Sequence, residues 1–537
     1  MPFDVDPPTT FDAAGYLSEN PDVAVAVARG DVGSAYEHYV SHGVREGRLS
    51  PPSPHEPPQT LIRTTLVAAV NTSQDFPQFF ETLIVSRGGG IAVIGWVDDL
   101  ADPIESVRVF GPGWRIAFEG GVLARIRRPD VEAALGAQVS HPYGYYGFVF
   151  AAGEVPAGSC QVEVRLRSGR TALTTTTPKV SDDEQMRETV LSYVAGAHHF
   201  GNAHVKAIAG LDQGAGAEIL KLNQSITRSL LNSPYVERFG RVGAVYAGSL
   251  VVCLYGKPEF LFIQAALYSA VRGMDRYELI FVSNSPEMSE TLLREARACH
   301  QIYGLDITVV ILPGNAGFGA ANNAAVAHAR SSRILIVNPD VFPMDAEWAE
   351  RHTGILAATS ADQNRLFGAP LYYDDGSLMH GGMFFDFDTS LAFEGGRRRV
   401  CQLVRVEHYG KGAPRDSTQF NRPRPVPAVT GAFISCDRAW FEHLGGFTED
   451  YVFGHYEDAD LCLKSLSAGS PAWIHDLKMW HLEGKGSTRL PVHEGGSLVN
   501  RWLFSTTWGA SIADDLVGQT PSHPCLRSTA PSLAAAA

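Results

Sequence analysis

The segment Ser249-Leu-Val-Val-Cys-Leu-Tyr255 is a short β-rich run closed by polar residues, and three more follow it: Glu278-Leu-Ile-Phe-Val-Ser-Asn284, Ile307-Thr-Val-Val-Ile-Leu312 and Arg333-Ile-Leu-Ile-Val-Asn338. Helix-length segments separate them. That alternation predicts a βαβ series, hence a mostly parallel sheet with right-handed crossovers. In such sheets ligands sit beyond the carboxyl ends of the strands. Polar residues gather at those ends: Tyr255-Gly-Lys-Pro-Glu259, Ser283-Asn-Ser285, Gly314-Asn-Ala-Gly-Phe-Gly-Ala-Ala-Asn-Asn323 and Asn338-Pro-Asp340. These loops are expected to open onto one edge.

Residues 314–323 superficially invite a dinucleotide reading, because Gly317 and Gly319 frame a close turn into a helix. The stretch follows the third strand rather than the first and lacks the full glycine spacing, which argues against a Rossmann dehydrogenase. Asn315, Asn322 and Asn323 instead offer amides to sugar or ribose hydroxyls, with Gly317 and Gly319 allowing close backbone approach. Farther on, His455-Tyr-Glu-Asp-Ala-Asp-Leu-Cys-Leu-Lys464 sets Glu457, Asp458 and Asp460 at the start of a helix running through Leu461, Leu463 and Leu466. Acids belong there for a purely structural reason, the positive end of the helix dipole. Their company changes the reading: the chain also brings Asp340 and a late histidine, His481, in Trp480-His-Leu-Glu-Gly-Lys-Gly-Ser487. A metal-type carboxylate, a base-type carboxylate and a histidine suit transfer chemistry.

Around this unit, 537 residues are too many for one core and suggest about three or four domains. Residues 1–50 read as a small helical module, with Tyr16, Leu17, Val23, Tyr36, Tyr39 and Val40 as its apolar face and Gly43 and Gly47 at helix ends. A Pro-rich stretch, 51–61, follows as a stiff linker. From 62 to 181, short β runs separated by Gly and Pro predict a β-sandwich. Within it Asp98, Asp99 and Asp102 admit a calcium-loop reading without EF-hand spacing, and Trp96, Trp114, Tyr143 and Tyr145 are read as aromatic core before sugar platforms. Residues 182–240 form a helical connector with Ile219, Leu222, Ile226 and Leu230 on one face. The catalytic unit spans 241–510, and 511–537 read as a disordered tail.

Hydrophobic residues make up 45% of the chain and charged residues 19%, with a net charge of −14 and no long Lys/Arg run. Nucleic acid is therefore not an expected partner, since phosphate backbones call for a basic face. No window approaches the roughly 18 apolar residues of a membrane span, and the opening residues lack the basic and apolar regions of a signal peptide. Seven scattered cysteines without a Cys-x-x-Cys pair argue for a reducing cytoplasm and against structural zinc.

In order along the chain stand a first strand ending in a Tyr-containing loop, Asn315-x-Gly-Phe-Gly-x-x-Asn-Asn323, Asn338-Pro-Asp340, residues 376–382, Thr430-Gly-Ala432, Gly445-Gly-Phe447, Glu457-Asp-x-Asp460 and His481. This series resembles the family 2 glycosyltransferases, most closely bacterial rhamnosyltransferase-like members, over about residues 245–508. The resemblance implies a GT-A fold, an α/β Rossmann-like catalytic domain with a mostly parallel sheet, preceded here by the helical module, the β-sandwich and the connector. It implies a nucleotide-sugar donor, a glycan or lipid-linked acceptor, and a divalent cation, Mn²⁺ or Mg²⁺. Peripheral association with the inner membrane face would follow from a lipid-linked acceptor.

By the same resemblance Asp340 and His481 are the metal ligands, with Asn338 in the place of the first acid of the family's Asp-x-Asp motif. The competing reading of His481 is a hydrogen-bonded histidine beside Trp480. Asp458 is the implied base, with Glu457 as its rival or as the residue orienting the acceptor, and Asp460 holds backbone. Tyr255, Ser283, Asn284, Asn315, Gly317, Asn322, Asn338, Gly431 and Ala432 are the implied donor-binding residues; many relatives carry an Asp where this chain has Ser283-Asn284. Residues 375–382 suggest a wall for acceptor or phosphate, and Val499-Asn-Arg-Trp502 with Trp508 either a closing element or helix packing. The rival functions are a catalytically silent glycan-binding or scaffold protein, and a sugar nucleotidyltransferase, which would want a basic Gly-rich loop after the first strand.

Overall fold

The structure, a computed structural model, describes residues 13, 16–17, 20–29, 34–38, 76–137, 141–151, 153–156, 158–198, 211–394, 397–415, 417–420, 422–485 and 490–517. The linker 51–61, the positions Tyr39, Val40, Gly43 and Gly47, and residues 518–537 of the expected tail lie outside these. Two compact units divide at 71/72. In the first, the helix Pro21–Arg29 buries Val23 with Tyr16 and Ala35, and the Tyr16 hydroxyl is 3.1 Å from His38 Nδ1.

The second unit opens with two antiparallel layers. Strands β1 (Gln78–Ser86), β2 (Gly90–Val97), β3 (Ile104–Gly111), β4 (Trp114–Glu119), β5 (Ala124–Ile126), β6 (Gly144–Phe150), β7 (Cys160–Leu166), β8 (Thr171–Thr176) and β9 (Lys179–Ser181) form sheets ordered β5-β6-β2-β1-β9 and β4-β3-β7-β8. Every residue of β2 is buried, because alternate side chains serve two cores. Ile91 and Val93 face the second sheet, while Ala92 and Ile94 face helices α1 (Asp183–His198) and α2 (Gly216–Leu231). Trp96, Tyr143 and Tyr145 are buried and Trp114 is half-buried, so these aromatics are largely core. Two of the three acids of the suggested calcium loop already have partners: Asp99 accepts from Arg125 and His141, and Asp102 from Arg170 and Ser168.

The main sheet joins β10 (Tyr235–Phe239), β11 (Gly248–Leu254), β12 (Tyr277–Ser283), β13 (Asp306–Ile311), β14 (Arg333–Val337), β16 (Leu366–Gly368), β21 (Arg424–Val426), β22 (Phe433–Asp437) and β23 (Ala472–Ile474), in the order β10-β13-β12-β11-β14-β22-β16-β23-β21. Strands β13, β12, β11 and β14 run parallel. Their crossover helices are α3 (Glu259–Ser269), α4 (Ser289–Tyr303) and α5 (Phe318–Val326). Here too side chains alternate between cores: Leu250 and Val252 meet α3 and α4, while Val251 and Cys253 meet α5 and α2. Two-sided burial explains the apolar runs that predicted this sheet. Its edge strand β10 falls where the helical connector was expected, and pairs antiparallel with β13.

Three further parts build the site. A small sheet takes β15 (Val341–Pro343), β24 (Met479–His481), β17 (Leu371–Tyr372) and β18 (Leu378–His380) in that order; β19 (Met383–Glu394) and β20 (Arg397–His408) form a long hairpin; and helices α6 (Glu457–Ser467) and α7 (Pro491–Ser511) follow. The chain stays helical through Ile512–Val517, with Ile512 and Ala513 buried, where the sequence suggested the start of a tail. No helix among the described residues is long and apolar enough to cross a membrane.

Candidate active site

Strand β14 ends at Val337, and the turn 338–341 that follows is pinned from beneath. Buried Gln264 of α3 donates its amide to the carbonyls of Asn338 (3.1 Å), Pro339 (2.7 Å) and Val341 (3.0 Å), and Asn338 N donates to Ala432 O (2.9 Å). The register of the small sheet then matters: Val341 pairs with His481, which brings Asp340 beside that histidine. Asp340 Oδ1 lies 3.5 Å from His481 Nε2, and Asp340 Oδ2 accepts from Lys485 N at 3.2 Å. Both side chains are buried, and His481 Nδ1 has no hydrogen-bond partner among the described residues. A separation of 3.5 Å is long for a hydrogen bond. It suits two atoms that share one cation with bonds of about 2.1 Å each. The donor set, one carboxylate oxygen and one imidazole nitrogen, therefore fits a divalent ion.

Asp458 sits in the first turn of α6 and is half-buried. Its Oδ2 accepts from Gly431 N (2.7 Å) and its Oδ1 from Ala459 N (2.8 Å). A Cβ on Gly431 would come within 3.3 Å of Asp458 Cβ and 3.2 Å of the Phe318 ring, so the absence of a side chain there lets the two elements meet. Asp340, Asp458 and His481 line one cavity of about 890 Å³, together with Tyr255, Asn284, Asn315, Asn338, Gly431 and Ala432.

Residues 249–367 match the Glycosyl transferase family 2 model. The family 2 segment thus covers the parallel strands and Asp340, while Asp458 and His481 lie beyond it. The uncharacterized protein y4gI of Sinorhizobium fredii (strain NBRC 101917 / NGR234) is 29% identical over 242 residues, 44% of this chain, and the chain spans only 24% of that relative's length. Similar solved structures include GalNAc-T7 with UDP, GalNAc and Mn²⁺ (12% identity, 52% of this chain and 53% of that one, TM-score 0.33). Two others are the mannosyltransferase PcManGT of Pyrobaculum calidifontis with GDP-Man and Mn²⁺ (16%, 62% and 89%, TM-score 0.31) and S. aureus TarS 1-349 (12%, 50% and 75%, TM-score 0.31). Scores this low carry no weight for the chemistry.

Three of the expected donor contacts of the family 2 segment do not reach the cavity. Ser283 is fully buried and turns back, its hydroxyl donating to Ser285 O at 3.0 Å. Asn322 is fully buried and donates to Phe318 O at 2.9 Å, one turn back in α5. Gly317, at φ 89°, packs against Phe453, where a Cβ would meet main-chain atoms at 3.2 Å. Ser283 and Gly317 brace loops instead, and Asn322 bonds within its own helix. Asn284 does both, lining the cavity while bonding Gly317 O and Ala316 N. Asn323 holds the loop after Gly446, donating to Phe447 O and accepting from Phe447 N. Asp460 ties Thr448, Lys464 and Trp508 together, a structural role.

Glu457 differs from its neighbour. It is buried, and its Oε2 has no partner among the described residues. Burial, and then the charge of Asp458, push its carboxyl well above the ordinary range, which favours the protonated form at neutral pH. A carboxyl with a raised folded pKa weakens the fold as pH climbs from its unfolded value, about 4.3, toward the folded one. Glu457→Gln is therefore expected to raise the melting temperature at neutral pH and to flatten its decline with pH; an unchanged pH profile in scanning calorimetry would count against the buried neutral acid.

Several supports were not legible as site residues. The loop before α6 carries three non-glycine residues at positive φ: Phe453 (60°), His455 (85°) and Tyr456 (77°). Such strain persists only where surroundings impose it. Buried Asn500 of α7 imposes it, donating to the carbonyls of Val452 (2.9 Å), Gly454 (2.7 Å) and His455 (3.2 Å) and accepting from Val452 N (2.7 Å). Arg187 of α1 reaches in from the connector, 4.6 Å from the Phe453 ring centroid, and donates to Asn315 O and Asn223 Oδ1, each at 2.9 Å. Helix α7 also lines the cavity, through His493, Glu494, Ser497 and Arg501, so it both packs and covers. Asn500→Leu would orphan Val452 N and Gly454 O at about 1–3 kcal/mol each, while Val452 O keeps its bond from Gly454 N. The expected outcome is a lower denaturation midpoint and loss of any activity; full activity with unchanged stability would show that the loop holds itself.

Proposed function

We propose that this chain transfers a hexosyl or deoxyhexosyl group from a nucleotide sugar to a hydroxyl of a glycan or lipid-linked acceptor, inverting the anomeric carbon, in assembly of a surface polysaccharide. The single observation that carries the proposal is the shared cleft, about 890 Å³, lined by Asp340, His481 and Asp458. That volume falls within the usual range for small-molecule sites, about 300–1,000 Å³.

Asp340 and His481 would hold a divalent cation, with diphosphate oxygens of the donor completing its shell. When bound, the ion supplies charge to offset that building on the departing diphosphate. A mixed oxygen and nitrogen set favours Mn²⁺ over Mg²⁺. Tyr255, Asn284, Asn315, Asn338, Gly431 and Ala432 are assigned to the donor. Asp458 takes the proton of the attacking hydroxyl. Glu457, whose burial and neighbouring Asp458 charge disfavour the ionised form, is the poorer base and orients instead. The site faces the cytoplasm in this reading, with the protein resting on the inner membrane face if the acceptor is lipid-linked.

The test is a thermal-shift panel on the full chain with UDP-glucose, UDP-N-acetylglucosamine, GDP-mannose and dTDP-rhamnose, each with Mn²⁺ and with EDTA. At least one donor should raise the melting temperature with Mn²⁺ and not with EDTA, and should be slowly hydrolysed. No shift with any donor across a wider nucleotide-sugar set would remove the proposal.

A further inference from the structure

Beside Asp458 lies a histidine pair that the chemistry above leaves unused. A backbone N–H can only donate, and that of Gly382 points at His380 Nε2 at 3.2 Å, with Thr430 N farther off at 3.5 Å. That nitrogen must carry the lone pair, so the proton of the neutral His380 ring is on Nδ1. His380 Nδ1 is 3.1 Å from His408 Nδ1. It donates, His408 Nδ1 accepts, and the neutral His408 ring is left with its proton on Nε2. The two rings cross at 77° with centroids 4.8 Å apart. A proton added to His408 Nδ1 would face the His380 N–H directly, and burial lowers the basicity of both rings.

His380 is fully buried, whereas His408, the last residue of β20, lines the cleft with Thr430, Asp458 and Glu483. Four charged groups act on it: Asp458, Lys411, Glu483 and Glu407. We propose that His408 is a neutral Nε2–H donor, its tautomer set through His380 by the Gly382 main-chain amide, that grips an oxygen of the acceptor in the cleft of Asp458. What it grips rests on the transferase reading; the tautomer does not. Neutrality matters physically. A lysine or a charged histidine there would stabilise the Asp458 carboxylate and weaken it as a base, while a neutral N–H orients the acceptor without that effect. Binding energy spent on a group next to the reacting hydroxyl goes into orientation.

Two arms test this on the full chain. Long-range ¹⁵N–¹H correlation spectra of ¹⁵N-histidine-labelled protein, assigned by loss of one ring in His408→Gln, should show His408 neutral with its proton on Nε2 and His380 neutral with its proton on Nδ1. A His408 protonated on Nδ1, or on both nitrogens at neutral pH, overturns the proposal. In the second arm, the nucleotide sugar that the parent hydrolyses is supplied with methyl α-L-rhamnoside and methyl β-D-glucoside as acceptor probes. His408→Leu should lower kcat/KM for transfer by about tenfold, the size of one lost hydrogen bond, mainly through the acceptor KM, and leave donor hydrolysis within about twofold. His408→Gln, which keeps an N–H, should recover part of the loss. Equal losses in transfer and hydrolysis, or no loss in either, sink the assignment. A parent inactive on every donor but with the stated tautomers defeats the transferase reading, and the acceptor role with it, while leaving the tautomer lock in place.

Discussion

Replacing Asp458 by asparagine is expected to lower the transfer rate by about 10²–10⁴-fold, the usual contribution of a positioned general base, while leaving nucleotide-sugar binding in place. Asp458 reaches the cleft from the first turn of α6, with each oxygen anchored by one main-chain N–H, from Gly431 and from Ala459. Those bonds fix the carboxylate and leave the second lone pair of each oxygen for a substrate hydroxyl. An amide keeps the size of the side chain but cannot take the proton. It also turns an N–H toward one of the two anchoring amides, so a modest fall in melting temperature should accompany the loss. The measurement is kcat for transfer together with the donor-induced thermal shift. A variant that turns over within a few-fold of the parent would remove Asp458 from the chemistry, and one that loses the donor shift as well would make it a binding residue.

Asp340→Ala is expected to do the reverse and abolish the cation-dependent response to the donor. A ligand at a hundred times its Kd stabilises the folded state by about 2.7 kcal/mol. For the parent that shift should appear with Mn²⁺ and vanish with EDTA; for the variant the two conditions should coincide. Asp340 is buried against His481 and held by Lys485 N, so alanine leaves the imidazole alone as a donor atom. One nitrogen is a weak site for a hard ion. His481→Ala, made alongside, should weaken the response without erasing it. An Mn²⁺-dependent shift of full size in Asp340→Ala would place the ion elsewhere. The two aspartates are thus separable: one variant binds without turning over, and the other fails to bind.

The parallel sheet was legible because two-sided burial leaves a mark that needs no partner to be seen. Runs such as Leu250 to Leu254 and Leu279 to Val282 are apolar at every position, since odd and even side chains enter different cores. Asp340 and the acids of residues 457–460 were legible for a similar reason, one standing just past a strand end and the others in a helix's first turn. Ser283 was misread because it ends its strand on the right edge of the sheet but turns back to Ser285, a direction that depends on the local turn. Asn322 was misread because the helix carrying it packs that side chain inward.

From the chain alone, then, come the strand series, the helices between them and the carboxylates at their ends, because each is written in the neighbours of a single residue. Only the tertiary structure decided that Val341 pairs with His481, that the β19–β20 hairpin delivers His408 to the cleft that Asp458 lines, and that Asn500 and Arg187 hold a strained loop against the cleft. Those contacts join segments far apart in the chain. Their register is chosen by how whole faces pack, and no local pattern of residues carries that information.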